Sequence, residues 1–227
     1  MTPSHHAAAG LHASLRTPLF WVVLALAVAP AFVKRALFIG EPDYVAWLIA
    51  DYVGRALSLM GMFIAWRARL LPPIGNRAGM LRSSLVFFAT VLLVFAEELF
   101  VAPPLREAFH DSKLMFLYPR PHALILPDLV LGLFFVALSE ELVYRRWLLP
   151  LIAALAGGRF AAVLLSNIVF ALVHVTSGYD EAMTAFFDGC IFSVAFLATR
   201  RLSICVAAHY LIDVYIIGGG YVSTGAL

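Results

Sequence analysis

Arginines, prolines and glycines cut this chain into apolar runs of similar length, and that spacing restricts the fold more than any single residue does. A helix needs about 20 apolar residues to cross the roughly 30 Å hydrocarbon core of a bilayer. Runs near that length fall at about 18–33, 44–66, 83–101, 122–138, 160–175, 182–199 and 202–217. Charged residues make up only 13% of the sequence and the mean hydropathy is +0.92, too few charges to cover the surface of a water-soluble fold. The expected fold is therefore all-α: a polytopic transmembrane bundle of seven spans, or eight if Leu148 to Ala156 forms a further helix. One membrane domain is expected over 1–227, with N-terminal spans and a loop in 1–121 and the polar motifs in 122–220.

A net charge of +2, with no basic cluster interleaved with aromatics, argues against nucleic acid as a partner and leaves the lipid bilayer. Cys190 and Cys205 lie in apolar runs without CxxC spacing, so they read as small buried hydrophobes rather than a disulfide or a zinc–thiolate site. Lys34 and Arg35 directly follow the first run, which favours a retained signal-anchor helix over a cleaved signal peptide. Arg67, Arg69, Arg77 and Arg82 form the strongest positive cluster and are expected on the cytoplasmic side, with Arg145, Arg146, Arg200 and Arg201. Lys34, Arg35, Arg106, Lys113 and Arg120 then fall on the opposite side, accompanied by acids. The expected location is a bacterial plasma membrane. Asp51 and Arg55, four apart inside the second run, read as an internal ion pair.

The polar residues inside the later runs carry the functional signal, since each intramembrane charge costs roughly 2.5–3.5 kcal/mol on insertion scales. Glu140 and Glu141 close the fourth run. Glu141 and Arg145 have the i,i+4 spacing of a helix-face ion pair, acid first, which makes them structural support. Glu140 points about 100° away and is expected to face His174 and His209. Phe170 and His174 share a helix face in the fifth run, as do His209 and Asp213 in the seventh. Taken singly, a buried histidine is an ordinary core residue and a His–Asp pair a local brace. Taken together, three helices each offer a group suited to activating water. Glu97 and Glu98 form a second acidic pair, but position 102 is Ala102, so no arginine follows at the matching distance. They are expected at a solvated rim or in an internal hydrogen bond.

Glu140-Glu141-xxx-Arg145, Phe170-xxx-His174 and His209-xxx-Asp213, in that order, resemble the three motifs of the CAAX protease and bacteriocin-processing family, which includes the type II CAAX prenyl endopeptidases. The resemblance spans about 129–220. It implies a glutamate-dependent intramembrane endopeptidase acting on a membrane-associated peptide or protein. In that scheme Glu140 is the general base and His174 helps hold the water. His209 and Asp213 polarise the scissile carbonyl, or Asp213 orients His209; an ionised Asp213 cannot itself donate to an oxyanion. No cofactor is implied. The alternative of a zinc held by Glu140, His174 and His209 lacks an HExxH pattern to support it. A proton- or ion-coupled transporter and a non-catalytic scaffold or immunity protein are the competing functions. The transporter lacks a visible inverted repeat and the scaffold reading sits poorly with three intact motifs.

Overall fold

Capping chemistry starts the first two helices. In the computed structural model, which describes residues 15–40, 43–114 and 122–223, α1 spans Pro18–Leu37. Thr17 accepts the Phe20 N–H at 3.4 Å, and Pro18 fills a position where no donor is needed. Asp43 does the same for α2, Tyr44–Arg67, accepting from Ala46 at 2.9 Å. The two pack as an antiparallel hairpin made close by small residues. A Cβ on Gly61 would lie 3.0 Å from the Leu26 Cβ, and Ser58 donates to the Ala27 carbonyl at 3.0 Å.

Helix α3 covers Met80–Phe100 and is followed by a short helix α4, Ala102–Phe109. Pro103 and Pro104 follow the end of the third span, as expected, but rather than opening a loop they occupy the first turn of α4, where proline costs no hydrogen bond. Residues 115–121 of that connection lie outside the described residues.

The fourth span differs most from expectation. It does not stop at Leu138 but continues as one helix, α5, over Ala123–Ala156. Leu148 to Ala156 is thus its final stretch, and the described residues contain seven helices long and apolar enough to cross a membrane. At 1.5 Å per residue α5 is about 50 Å long, more than a bilayer core requires, so the acidic motif lies mid-helix. Two stretches of α5, Asp128–Gly132 and Glu141–Leu148, are wound as wider π-type turns. Their rungs run from the Leu133 N–H to the Asp128 carbonyl and from the Leu149 N–H to the Tyr144 carbonyl. Pro127 directly precedes the first stretch and Pro150 lies two residues past the end of the second, and each removes a donor from the regular ladder.

Gly157, at φ 70°, turns the chain into α6, Arg159–His174. Gly178, at φ 139°, leads into α7, Tyr179–Thr199. The last helix, α8, spans Leu202–Ser223 and runs through the glycines expected to end it. In a hydrocarbon setting the backbone must satisfy its own hydrogen bonds, which offsets glycine's weak helix propensity.

Helix ends gather at two poles. At one, the Leu114 N–H bonds the Thr176 carbonyl at 2.9 Å, the Tyr179 N–H bonds Ser112 at 2.7 Å, and Arg35 bonds Ser177. At the other, the Ala78 N–H bonds the Thr199 carbonyl at 2.9 Å and Arg146 donates to the Pro72 carbonyl at 2.7 Å. Two apolar clusters fill the interior. One joins α1 and α2 to Val143, Trp147 and Phe170; the other joins α3 to Leu149, Phe192, Phe196 and Ile212. Large apolar side chains such as Trp66, Leu81, Phe88 and Phe160 stay exposed, as a lipid-facing surface demands.

Candidate active site

A cavity of about 270 Å³ lies among the helices at the α4 pole, and Glu140, His174, His209 and Asp213 all line it. A smaller adjoining cavity of about 40 Å³ is lined by Glu140, Tyr144, Phe170 and His174 on one side and by Arg35 and Arg55 on the other.

The acidic motif is built around a buried ion contact. Glu141 and Arg145 are both fully buried, with Arg145 Nε 3.3 Å from Glu141 Oε2, close enough for charge pairing but out of line for a hydrogen bond. Arg145 is also sandwiched by rings, lying 4.8 Å from the Phe170 centroid and 5.6 Å from that of Phe192. Its Nη2 donates to the Gly189 carbonyl at 3.4 Å. Glu141 and Arg145 thus form the expected pair, with Phe170 packed against it.

Glu141 also does something the spacing did not indicate. Its Oε1 lies 3.0 Å from His209 Nδ1, so it fixes the imidazole as well as the arginine. On the far side of the ring, Nε2 is 3.4 Å from Asp213 Oδ2 and 3.9 Å from Glu140 Oε2. The two glutamates were expected to diverge. They converge on opposite nitrogens of one histidine, with the π-type stretch beginning between them. The ring stacks on Phe192 at 5.1 Å with a 19° tilt. Glu141 is therefore the closer orienting partner of His209, a role sequence spacing suggested for Asp213.

His174 ends α6. Its Nδ1 donates to the Phe170 carbonyl at 3.0 Å, since a carbonyl can only accept, and this frees Nε2 for another partner. Its ring meets Phe170 edge-on at 4.9 Å, and Phe170 meets Tyr144 at 4.8 Å.

The N-terminal hairpin adds residues that sequence reasoning missed. Arg55 Nε donates to Asp51 at 2.8 Å, the expected internal pair. Its Nη1 also donates to Glu140 Oε1 and to Ser139 Oγ, both at 3.1 Å. Lys34 pairs with Asp51 across the hairpin. One signal could have found this contact. Lys34, Arg35 and Arg55 outnumber Asp51 within two spans, so the hairpin needs an acid from elsewhere. Asp188 on α7 lines the larger cavity too, with its Oδ1 buried and without a hydrogen-bond partner among the described residues.

The second acidic pair sits elsewhere. Glu98 accepts from Arg106 at 2.7 Å on the rim of the larger cavity, whereas both oxygens of buried Glu97 lack a hydrogen-bond partner among the described residues. As for a metal, no group of three or more His, Cys, Asp or Glu side chains among the described residues has a ligating arrangement.

Residues 122–215 match the family of type II CAAX prenyl endopeptidases described as Rce1-like. No curated protein and no solved structure matches the chain significantly. The matched segment begins at α5 and ends within α8, so it contains all three motifs. That family is one of membrane proteases, and the seven long apolar helices make the chain an integral multi-pass membrane protein.

Proposed function

We propose that this chain is a glutamate-dependent intramembrane endopeptidase in which Glu140 activates the water that attacks a peptide carbonyl. The observation that carries the reading is the meeting of Glu140, His174, His209 and Asp213 on one cavity, drawn from three helices. Arg55 holds Oε1 of Glu140, leaving Oε2 on the side of His209. A water between Glu140 and His174 would give its proton to the carboxylate while the Nε2 lone pair of His174 orients it. The Nε2 of His209, when protonated, would donate to the developing oxyanion, and Glu141 would hold the ring at Nδ1. Asp213 then tunes His209 from the side and need not donate to the oxyanion itself. The proton taken by Glu140 passes to the leaving amine as the tetrahedral intermediate collapses.

The test is cleavage of a membrane-tethered reporter peptide by the full chain. Glu140→Gln should lower kcat by roughly 10²–10⁴-fold, the usual contribution of general acid–base catalysis, at unchanged protein level. His174→Ala should fall in the same range. Full activity retained by either variant overturns the reading.

A further inference from the structure

We propose that a cavity between α5, α6 and α7 binds one anionic phospholipid, its phosphate held by Arg159 and Arg200 and an acyl chain seated below them. This cavity lies at the pole opposite the catalytic one and shares no lining residue with it, so the proposal stands apart from the endopeptidase reading.

The shape and polarity of the cavity come first. Its volume is about 100 Å³, with Leu149, Ala153, Ala162 and Phe196 among its apolar walls. Arg159 and Arg200 are the only charged residues that line it. Arg159 begins α6 and Arg200 directly follows α7, so both stand at the ends of membrane-crossing helices. Leu149 lies seven residues before the end of α5, about 10 Å deeper at 1.5 Å per residue. The cavity is therefore cationic at the boundary and lined by hydrocarbon beneath. A free ion uses only the first of these features, whereas a phospholipid uses both.

The charges fix the sign of the headgroup. Nearby Arg146 and Arg201 donate to the carbonyls of Pro72 and Ala78, at 2.7 and 2.9 Å. The side chains of Arg159 and Arg200 have no hydrogen bond or ion pair among the described residues. No acid is at hand to supply one. α6 contains none, and the last acid of α7 is Asp188, twelve residues or about 18 Å before Arg200. Burial and the neighbouring Arg159 both push the Arg200 guanidinium below its ordinary value, so two like charges share one cavity mouth. Arg200 also adopts φ 55°, where glycine would close the helix with less strain. A phosphate between two guanidiniums relieves their repulsion and accepts their paired N–H groups. Basic pockets between transmembrane helices hold anionic headgroups in this way. A zwitterionic lipid fits worse, because its own cation meets the two arginines.

The test is native mass spectrometry of the full chain released from detergent. It is titrated in turn with dioleoylphosphatidylglycerol, dioleoylphosphatidylcholine and glycerol 3-phosphate. Phosphatidylglycerol should bind more tightly than phosphatidylcholine, and glycerol 3-phosphate should not displace it at equal concentration. Arg159→Gln and Arg200→Gln should each weaken phosphatidylglycerol about fivefold, and the double variant about 20-fold. Arg77→Gln with Arg82→Gln removes two exposed charges at the same pole outside the cavity, and should change binding less than about twofold. Ala153→Phe fills the apolar part while keeping both arginines, so it should also weaken the lipid. Leu197→Gln, at another wall position, gives the same reading if Ala153→Phe does not accumulate. Equal binding of the two lipids, an undiminished preference in the double variant, or an equal loss in the Arg77 and Arg82 control overturns the proposal. Displacement by glycerol 3-phosphate, or full lipid binding with the apolar wall altered, overturns the lipid and leaves a soluble phosphate ester as the ligand.

Discussion

Glu97–Glu98 and Glu140–Glu141 are the same dipeptide, each within an apolar helix, yet their surroundings differ in every respect that matters to chemistry. Around the second pair the bundle places Arg145, Arg55 and both nitrogens of His209, supplied by three helices. Around the first, Glu98 reaches one half-exposed arginine on the neighbouring α4, and Glu97 is buried with neither oxygen hydrogen-bonded among the described residues. A carboxylate pair is thus not a site in itself. What makes one is the set of donors that other helices aim at it, and this set positions one oxygen of Glu140 while leaving the other facing the cavity.

The largest expected contrast is in folding. Glu141→Ala leaves Arg145 buried without its acid, which should cost about 3–5 kcal/mol, as breaking a buried pair does. The loss should appear in thermal melts of the detergent-purified protein, and Arg145→Met in the same background should recover part of it. Glu97→Leu should change stability by no more than about 1 kcal/mol and can raise it, because no donor loses a partner. Equal losses in the two variants would erase the distinction between the pairs. Next in size is Arg55→Met. Arg55 holds Oε1 of Glu140, so on the proposed reading it is a positioning residue. Its removal should lower kcat by roughly 100-fold with KM little changed, the scale of a small misplacement of a catalytic group. Arg55→Lys, which keeps a charge but loses the fork that joins Asp51 to Glu140, should recover only part of that loss.

What the sequence could and could not show follows the same division. The span count was legible because hydropathy run length is a local property and bilayer thickness fixes its scale. The end of the fourth span was not, since Glu140 to Arg146 reads as the polar close of an apolar run. Only the fold shows that the paired Glu141 and Arg145 lie fully buried in mid-helix, so that the helix continues to Ala156. At the site, i,i+4 spacing shows partners along one helix, such as Glu141 with Arg145 or His209 with Asp213. It carries no information on contacts between helices. Glu141 meets His209 from 68 residues away, and Arg55 meets Glu140 from 85. Those contacts depend on how the helices pack and on the π-type stretch that re-aims Glu141.

The smallest expected effect lies at the rim. Glu98 and Arg106 form a pair at 2.7 Å, but the arginine side chain is 47% exposed, so water and salt screen their attraction. Glu98→Gln should cost about 0.2–1 kcal/mol, the range of exposed pairs, and the difference should shrink as ionic strength rises. Peptide cleavage should stay close to that of the parent chain if this rim only shapes the cavity mouth. A rise in KM with kcat unchanged would instead give Glu98 a part in receiving substrate, because uniform loss of binding alters KM alone. That result would make the first acidic pair part of the functional surface, and the two pairs would then differ in their step of the reaction rather than in whether they serve it.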